Sequence, residues 1–228
     1  MTNQDKKPAH GPLARLWHQI GYSIDRTFKT GGRRHEFEHK YAKHGDYFGY
    51  QNNPYEITKY ERTLELVKQW KRIRGSALEI GCSVGVFTAM ISTEFDEVVA
   101  TDIASEALAL AKTQVAGRGR VSYVPSDVVS LNLGKTFDMI FCAEVLMYVR
   151  EKDSGLACSV LDRHLAENGL IIEVSQQDRE DGKPKFFHGW DQVLGKYFEV
   201  AHQERFDDPV RPYEIIAYQR RSERTFAG

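Results

Sequence analysis

Two patterns of apolar residues alternate along the chain from Ser76 onward, and this alternation predicts the fold. Short apolar runs indicate buried strands, and the segments between them place apolar residues three or four positions apart, as amphipathic helices do. The predicted strands of this part are residues 76–80, 97–103, 121–125, 137–145 and 170–175. Strands that alternate with helices favour a parallel sheet with right-handed connections.

The C-terminal part has a different pattern. Residues 176–185 are predicted to form a charged loop, and residues 186–197 a short aromatic helix or turn. Residues 198–206 and 213–220 indicate two strands joined by a short loop, which favours an antiparallel pair. We therefore predict an α/β fold with a Rossmann-like, seven-stranded, mostly parallel sheet, helices on both faces and an antiparallel C-terminal strand pair.

The first 50 residues differ from the rest of the chain. A polar tail precedes apolar residues at helical spacing between Leu13 and Ile24. Aromatic residues then cluster at Tyr41, Tyr47, Phe48 and Tyr50. Both a helix packed on the main domain and a lid over a ligand are open interpretations. We divide the chain into a tail and helical extension over residues 1–50 and a main domain over residues 51–228, which opens with the Asn53-Pro54 helix start.

Composition narrows the functional classes. A net charge of −1 gives no overall field that favours nucleic acid or a membrane surface. No apolar run approaches the ~20 residues of a membrane span, and the polar N-terminus has no secretory pattern, so we expect a cytoplasmic location. The three cysteines lie in apolar segments without metal-ligand spacing, so we expect buried thiols and no metal site. Oligomeric state stays open.

A strand–turn–helix corner at residues 76–88, SALEIGCSVGVFT, carries the first candidate chemistry. The strand brings in Glu79, and Gly81 and Gly85 follow before a helical pattern begins. Free backbone N–H groups at a helix N-terminus bind polar ligands, and glycines let a ligand approach closely. A glycine turn also occurs where a helix packs tightly on a sheet, so the neighbouring residues decide between the two.

Each of the first four predicted strands is followed or ended by an acidic residue. These residues are Glu79, Asp102, Asp127 and Glu144. The carboxyl ends of parallel strands meet at one edge, so we expect the four carboxylates to face one crevice. An acid at the position of Asp102 can bind ribose hydroxyls, and Asp127 can accept a hydrogen bond from an exocyclic amine.

The turn distinguishes between nucleotide classes. It lacks the middle glycine of GxGxxG, and Glu79 would repel a pyrophosphate but attract the amino group and sulfonium of S-adenosylmethionine. The chain also lacks the P-loop pattern GxxxxGK[ST]. A non-catalytic nucleotide-binding protein or an NAD(P)-dependent oxidoreductase on the same fold remains the alternative.

These segments resemble the motifs of class I S-adenosylmethionine-dependent methyltransferases. Residues 79–85 resemble the first motif, and Asp102, residues 126–128 and residues 137–146 resemble later ones. Residues 165–172 resemble the turn into their fifth strand. Ser83 stands at the usual middle glycine, which we expect to be acceptable with a φ below zero.

A narrower resemblance connects the chain with the nodulation protein S family of N-methyltransferases. It rests on the Gly-Cys-small-x-Gly turn at residues 81–85, the Asn-Pro-aromatic-Glu helix start at residues 53–56 and the Ala-Glu-Val-Leu-x-Tyr segment at residues 143–148. The resemblance implies S-adenosylmethionine as cofactor and a small-molecule acceptor with an amine or hydroxyl, such as a sugar or natural-product intermediate.

The resemblance also implies the site residues. The implied cofactor-binding residues are Glu79, Gly81, Cys82, Gly85, Asp102, Ile103, Asp127, Val128 and Ala143. Glu144 and Tyr148 are the candidates that would take the proton of an amine acceptor, and Tyr148 alternatively only walls the pocket. Further candidates are Tyr55 or Tyr60 at the methionine carboxylate, His44 and His188 near the acceptor, and Phe186, Phe187 and Trp190 as its pocket.

Overall fold

The computed structural model describes residues 30–70, 75–177 and 189–221. The predicted helical stretch between Leu13 and Ile24 lies outside these residues, as do the candidates Phe186, Phe187 and His188.

The described residues form helices and strands in nearly the predicted order. The helices are α1 (Thr30–His44), α2 (Pro54–Trp70), α3 (Val86–Ile91), α4 (Ser105–Gln114), α5 (Ser154–His164) and α6 (Trp190–Tyr197). The strands are β1 (Ser76–Ile80), β2 (Glu97–Asp102), β3 (Val121–Pro125), β4 (Phe137–Ala143), β5 (Leu165–Gln176), β6 (Phe198–Phe206) and β7 (Tyr213–Arg220). Short 3₁₀ turns cover Tyr50–Asn52, Leu146–Tyr148 and Glu151–Asp153.

The seven strands form one sheet in the order β3-β2-β1-β4-β5-β7-β6. Neighbours from β3 to β5 are parallel, and β7 is antiparallel to both β5 and β6, which confirms the predicted fold class. The chain leaves the edge strand β3 and returns to the centre at β4, so the strand order reverses between β1 and β4. In open α/β sheets such a reversal opens a ligand-binding crevice at the carboxyl ends of the strands.

The sheet is buried on both faces, which explains the continuous apolar runs in the sequence. Successive residues of one strand enter different cores, as Ile140 and Phe141 of β4 do. Ile140 shares its core with Leu161 of α5, and Phe141 shares the opposite core with Ile91 of α3. Each such buried side chain contributes about 1.5–3 kcal/mol to folding.

Strands β2, β4 and β5 differ from the prediction in their bounds, by only one residue where β2 ends at Asp102 and β5 ends at Gln176. Strand β4 ends at Ala143 instead of residue 145, because Glu144 adopts a left-handed φ of 52°. Strand β5 begins at Leu165, and its pairing with β4 shifts register before Leu170. Gly169 lies in this irregularity, where a Cβ would come within 2.7 Å of the Leu165 side chain and 3.0 Å of the Phe137 carbonyl oxygen. Residues 165–169, which precede the strand predicted to begin at residue 170, therefore belong to β5.

Candidate active site

The glycine turn after β1 is held against the neighbouring strand. The backbone N–H groups of Gly81 and Cys82 both donate to the Thr101 carbonyl oxygen at 2.8 Å. Gly81 has a φ of 77°, and a Cβ there would lie 2.5 Å from Cγ2 of Val145. The turn therefore packs directly on the segment after β4 and leaves no room for a side chain at position 81.

Gly85 serves the packing of helices. It precedes α3 with a φ of 82°, and a Cβ there would lie 2.8 Å from the Cα of Ala111 on α4. Gly85 was predicted as a cofactor-binding residue through its backbone, but it is absent from the residues that line the cavity. The close approach of α3 and α4 therefore explains why a glycine stands at position 85.

Ser83 corrects one expectation from the sequence. Its φ is +48° and not below zero, and the only other described non-glycine residue with a positive φ is Glu144. Both residues line the same cavity. A left-handed backbone at such a residue costs on the order of 1–3 kcal/mol and persists where neighbours fix it. At Ser83 the fixing contact is a 2.7 Å hydrogen bond between its Oγ and the Tyr41 hydroxyl.

All predicted site residues except Gly85 line one cavity at the carboxyl edge of the parallel strands. They are Glu79, Gly81, Cys82, Asp102, Ile103, Asp127, Val128, Ala143, Glu144 and Tyr148. The four carboxylates therefore face one crevice, as their strand-end positions predicted. This placement agrees with the roles assigned from the resemblance, and the roles themselves stay predictions.

Asp102 presents a carboxylate with a fixed orientation. One oxygen accepts the N–H of Ser83 at 2.9 Å, and the other accepts the N–H of Ala104 at 2.9 Å. Burial raises the pKa of Asp102 to about 6, although these backbone hydrogen bonds favour the ionised form. The glycine turn and the end of β2 thus position one carboxylate at the cavity.

Glu79 lies deeper, with 3% of its surface exposed. Its Oε2 accepts a 2.6 Å hydrogen bond from the Thr88 hydroxyl. Burial, together with the nearby charge of Asp102, raises the pKa of Glu79 to about 8. A cationic ligand would favour the ionised carboxylate, whereas a pyrophosphate would disfavour it. The two buried carboxyl groups therefore fit a positively charged nucleotide derivative better than a pyrophosphate.

Asp127 shapes the loop after β3. Its Oδ1 accepts the N–H of Val129 at 2.7 Å, which closes a turn around Val128. Val128 is 7% exposed and packs in the core while it also lines the cavity. The turn explains the choice of aspartate locally. It also places a carboxylate and an apolar side chain side by side at the cavity wall.

Glu144 takes part in a buried ion pair that the sequence analysis missed. Its Oε1 binds the Lys59 ammonium, and its Oε2 accepts a hydrogen bond from Gln176. Lys59 is 1% exposed and also lies 2.6 Å from Glu56. The sequence signal is a Glu–Lys pair three residues apart on the face of α2 that also carries Thr63 and Val67.

The other aromatic candidates lie at different places. Tyr148, in the 3₁₀ turn after β4, lines the cavity and packs edge-on against Phe37 at 5.4 Å between ring centres. Tyr60 also lines the cavity and stacks on Phe87. Tyr55 does not line it, and its hydroxyl donates to the Arg211 carbonyl oxygen at 3.0 Å.

Two further candidates lie away from this cavity. His44 packs against Tyr47 at 5.8 Å and is absent from the lining. Trp190 is buried at the start of α6 and lines a second cavity. The positions of these two residues do not support a role for either of them next to the glycine turn.

The described part of the N-terminal extension packs over the cavity. Phe37, Tyr41, Phe48 and Tyr50 all contribute to its lining. The carboxylate of Glu38 accepts the N–H groups of residues 105 and 106, at the start of α4, at 2.7 and 3.0 Å. The extension is thus anchored at two points, by the Tyr41–Ser83 contact and by an acid at a helix N-terminus.

Two features are absent from the described residues. Residues 30–70, 75–177 and 189–221 contain no cluster of three or more histidine, cysteine, aspartate or glutamate side chains that could hold a metal ion. Over the same ranges, none of the helices has the length and apolar character needed to cross a membrane.

Comparison with protein families supports the resemblance. The family model described as Nodulation protein S matches residues 32–180. Nodulation protein S of Rhizobium tropici is 27% identical over 170 residues, which cover 71% of each chain. Nodulation protein S of Azorhizobium caulinodans is 33% identical over 82 residues, or 36% of this chain and 39% of that protein.

Solved structures show the same fold. The N-methyltransferase NodS from Bradyrhizobium japonicum WM9, in complex with S-adenosyl-L-homocysteine, has a TM-score of 0.72 at 19% identity, and the match covers 83% of this chain and 98% of that one. The glycopeptide N-methyltransferase MtfA, complexed with S-adenosyl-L-methionine, has a TM-score of 0.58 at 13% identity, covering 71% and 94%.

Proposed function

The chain belongs to the nodulation protein S family of S-adenosylmethionine-dependent methyltransferases, and from this premise we propose that it methylates a nitrogen of a small-molecule amine. Two structural neighbours that are named N-methyltransferases support nitrogen over oxygen as the acceptor atom. The observation that carries the proposal is the common cavity of the glycine turn and four carboxylates, Glu79, Asp102, Asp127 and Glu144.

We assign the cofactor contacts to the cavity-lining residues. Asp102 would bind the ribose hydroxyls, Asp127 the adenine amino group and Glu79 the amino group of the methionine part. Ile103 and Val128 would pack on the adenine. The Gly81–Cys82 backbone would follow the methionine part, and Ala143 would lie near the sulfonium. When bound, the cofactor supplies a methyl group that is already activated by the sulfonium.

The protein then has to align the acceptor and exclude water. The aromatic side chains of Phe37, Phe48 and Tyr148 wall the cavity from the side of the N-terminal extension. Alignment of two reacting groups lowers a barrier by about 7–11 kcal/mol. We assign the alignment of the acceptor and the exclusion of water mainly to the packing of the extension on the segment after β4.

An amine acceptor must lose its proton before it can attack. Glu144 lies at the end of β4, and its two oxygens are oriented by Lys59 and Gln176. This arrangement supports a role in which Glu144 attracts the protonated amine and receives its proton. Tyr148 stands one 3₁₀ turn further on and serves as the second candidate for the same proton.

The alternative of an NAD(P)-dependent oxidoreductase is not favoured, because a pyrophosphate would face the buried carboxylates of Glu79 and Asp102. A cytoplasmic location is supported by three free cysteines, Cys82, Cys142 and Cys158, all of which are buried.

Titration calorimetry with S-adenosylhomocysteine and with NADH tests the cofactor assignment. We expect S-adenosylhomocysteine to bind and NADH not to bind. Asp102→Asn should weaken the binding of S-adenosylhomocysteine by about tenfold or more, because hydrogen bonds to a charged group contribute about 1.5–3 kcal/mol. Asp207→Asn, the same change at an exposed residue, is the control. Unchanged affinity in Asp102→Asn would place the ribose elsewhere.

Transfer of a labelled methyl group to matched acceptors tests the choice of nitrogen. Amines and alcohols with the same carbon skeletons are compared at equal concentration. We expect label on the amines only, with the rate rising as pH increases the neutral fraction of the amine. Label on the alcohols alone would contradict transfer to nitrogen and leave the cofactor assignment standing.

A further inference from the structure

A second cavity of about 420 Å³ lies beside the first, between the sheet and α6. Its described lining includes Glu173 and Ser175 of β5, Glu214 of β7 and Asp191 of α6. Glu144 lines both cavities, so its carboxylate separates the proposed methyl-transfer site from this second space.

The second cavity is acidic. Glu144, Glu173, Asp191 and Glu214 line it, together with four glutamines, and none of its described lining residues carries a positive charge. Three cations outside the lining contact its residues, and one of them is Lys59, which pairs with Glu144. Arg205 is 3.8 Å from Glu214, and Arg211 hydrogen-bonds Gln176. None of the three forms an ion pair with Glu173 in the described part of the chain.

Glu173 is the unusual member of this group. It lies within β5 with 4% of its surface exposed, and its Oε2 has no hydrogen-bond partner among the described residues. The nearby Ser175 side chain tends to lower the pKa of this carboxyl group. A buried polar atom without a partner destabilises the fold by about 1–3 kcal/mol. Its retention in a cavity that opens beside Glu144 therefore indicates a ligand.

The surroundings of Glu173 favour a cation as that ligand. Burial, together with the charges of Asp191 and Glu214, raises the pKa of Glu173 to about 8. The other titratable groups that face it, Cys142 on β4 and Tyr218 on β7, are neutral acids. A positive charge in the cavity would stabilise the ionised carboxylate and satisfy its free oxygen.

Strand geometry separates this position from Glu144. The Glu144 N–H donates to the Val174 carbonyl oxygen, and Glu173 precedes Val174 on the strand. The register puts Cys142 opposite Glu173, two residues before Glu144. Two residues along a strand span about 6.6 Å. A ligand that reaches from Glu144 to Glu173 therefore has two cationic groups separated by a short chain.

We propose that the methyl acceptor carries a second positively charged nitrogen, and that Glu173 binds this nitrogen in the second cavity while the reacting nitrogen lies at Glu144. The proposal rests on the proposed function, because Glu144 connects the two spaces. It narrows the acceptor class from amines in general to short-chain diamines and related dications.

Two probes of equal length test the proposal: 1,5-diaminopentane and 5-amino-1-pentanol, titrated into the full chain saturated with S-adenosylhomocysteine. We expect the diamine to bind about tenfold or more tightly, since a hydrogen bond to a charged group is lost in the alcohol. Glu173→Gln should remove this preference and leave the affinity for S-adenosylhomocysteine unchanged. Glu167→Gln, at the exposed start of the same strand, should keep the preference.

A second readout distinguishes recognition from a structural role. Diamine binding should release a proton as Glu173 ionises, so the binding heat should depend on the ionisation enthalpy of the buffer in the native chain but not in Glu173→Gln. If Glu173→Gln does not fold, Asp191→Asn at an exposed position should still reduce the preference. Equal binding of the two probes, or a full preference in the folded variants, overturns the proposal. Failure to bind S-adenosylhomocysteine would instead overturn the proposed function.

Discussion

Ser83 and Glu144 show how single residues at the cavity depend on distant partners. Both have a left-handed backbone, and each is fixed by a contact from an earlier part of the chain. Tyr41 binds Ser83 across 42 residues of sequence, and Lys59 binds Glu144 across 85. The motif pattern predicts which residues stand at the strand ends. It does not predict their backbone conformation, because the stabilising partners have no local signature.

The buried carboxyl of Glu79 predicts how stability varies with pH. Its pKa of about 8 in the folded chain lies above its ordinary value of 4.5. Between these pH values the folded protein holds a proton that the unfolded chain has lost. The free energy of unfolding therefore falls as pH rises, by about 1.4 kcal/mol per pH unit. Because of this residue, the free energy of unfolding, measured with denaturant and without ligand, should be about 2 kcal/mol lower at pH 8 than at pH 6.

Glu79→Gln isolates that contribution. The amide cannot ionise, and its oxygen can still accept the Thr88 hydrogen bond, so the variant should lose less stability than the native chain between the two pH values. Glu173, whose burial also raises its pKa to about 8, contributes equally to both proteins. The exposed Glu204→Gln should follow the native curve. Parallel curves for the native chain and Glu79→Gln would show that Glu79 is ionised in the fold.

At the scale of elements, the strands were predictable and helix α1 was not. Strands such as β1 and β2 are apolar runs buried on both faces, so their sequence alone identifies them. Helix α1 is polar and contains two glycines near its start, and the sequence analysis assigned no helix to residues 30–44. Its packed contacts run through Phe37 and Tyr41 to the cavity, and tertiary contacts of this kind override local propensity.

The anchor of α1 on α4 is the element contact that can be tested. Burial tends to raise the pKa of Glu38, but hydrogen bonds from the N–H groups of Glu106 and Ser105 outweigh it, so the pKa lies below its usual value. Glu38→Gln removes the negative charge at the N-terminus of α4 and should weaken the contact between α1 and α4 by about 0.5–2 kcal/mol. Hydrogen exchange should then be faster across residues 33–50, and S-adenosylhomocysteine should bind a few times more weakly.

Glu36→Gln is the matched control for this anchor. Glu36 is on the same helix but pairs with Lys40, four residues away, and among the described residues it forms no hydrogen bond or ion pair with α4. Exchange across residues 33–50 should stay close to native in this variant, because i,i+4 pairs on a helix contribute only about 0.3–0.5 kcal/mol. Equal acceleration in both variants would mean that loss of helix charge, and not the contact with α4, loosens the extension.

At the scale of the whole molecule, the cavity exists only when distant segments meet. Its lining comes from the N-terminal extension, the glycine turn, the ends of β2, β3 and β4 and the segment up to residue 153. These surfaces are spread over residues 33–153, so no single helix, strand or loop contains the site. The boundary between residues 50 and 51 stays a prediction, and the extension supplies part of the site. Ligand binding should therefore report on the folding of the whole chain.

This dependence gives a quantitative expectation for ligand and stability. A ligand that binds only the folded chain, at 100 times its dissociation constant, raises the free energy of unfolding by about 2.7 kcal/mol. We expect that gain for S-adenosylhomocysteine in urea unfolding, with an unchanged denaturant slope because the same surface unfolds. NADH at equal concentration should not raise the free energy of unfolding. In Asp102→Asn, S-adenosylhomocysteine at the concentration used for the native chain should raise it by a smaller amount. A gain from S-adenosylhomocysteine that Asp102→Asn keeps in full would place the nucleoside outside this cavity, because the carboxylate at the end of β2 would then contribute nothing to its binding.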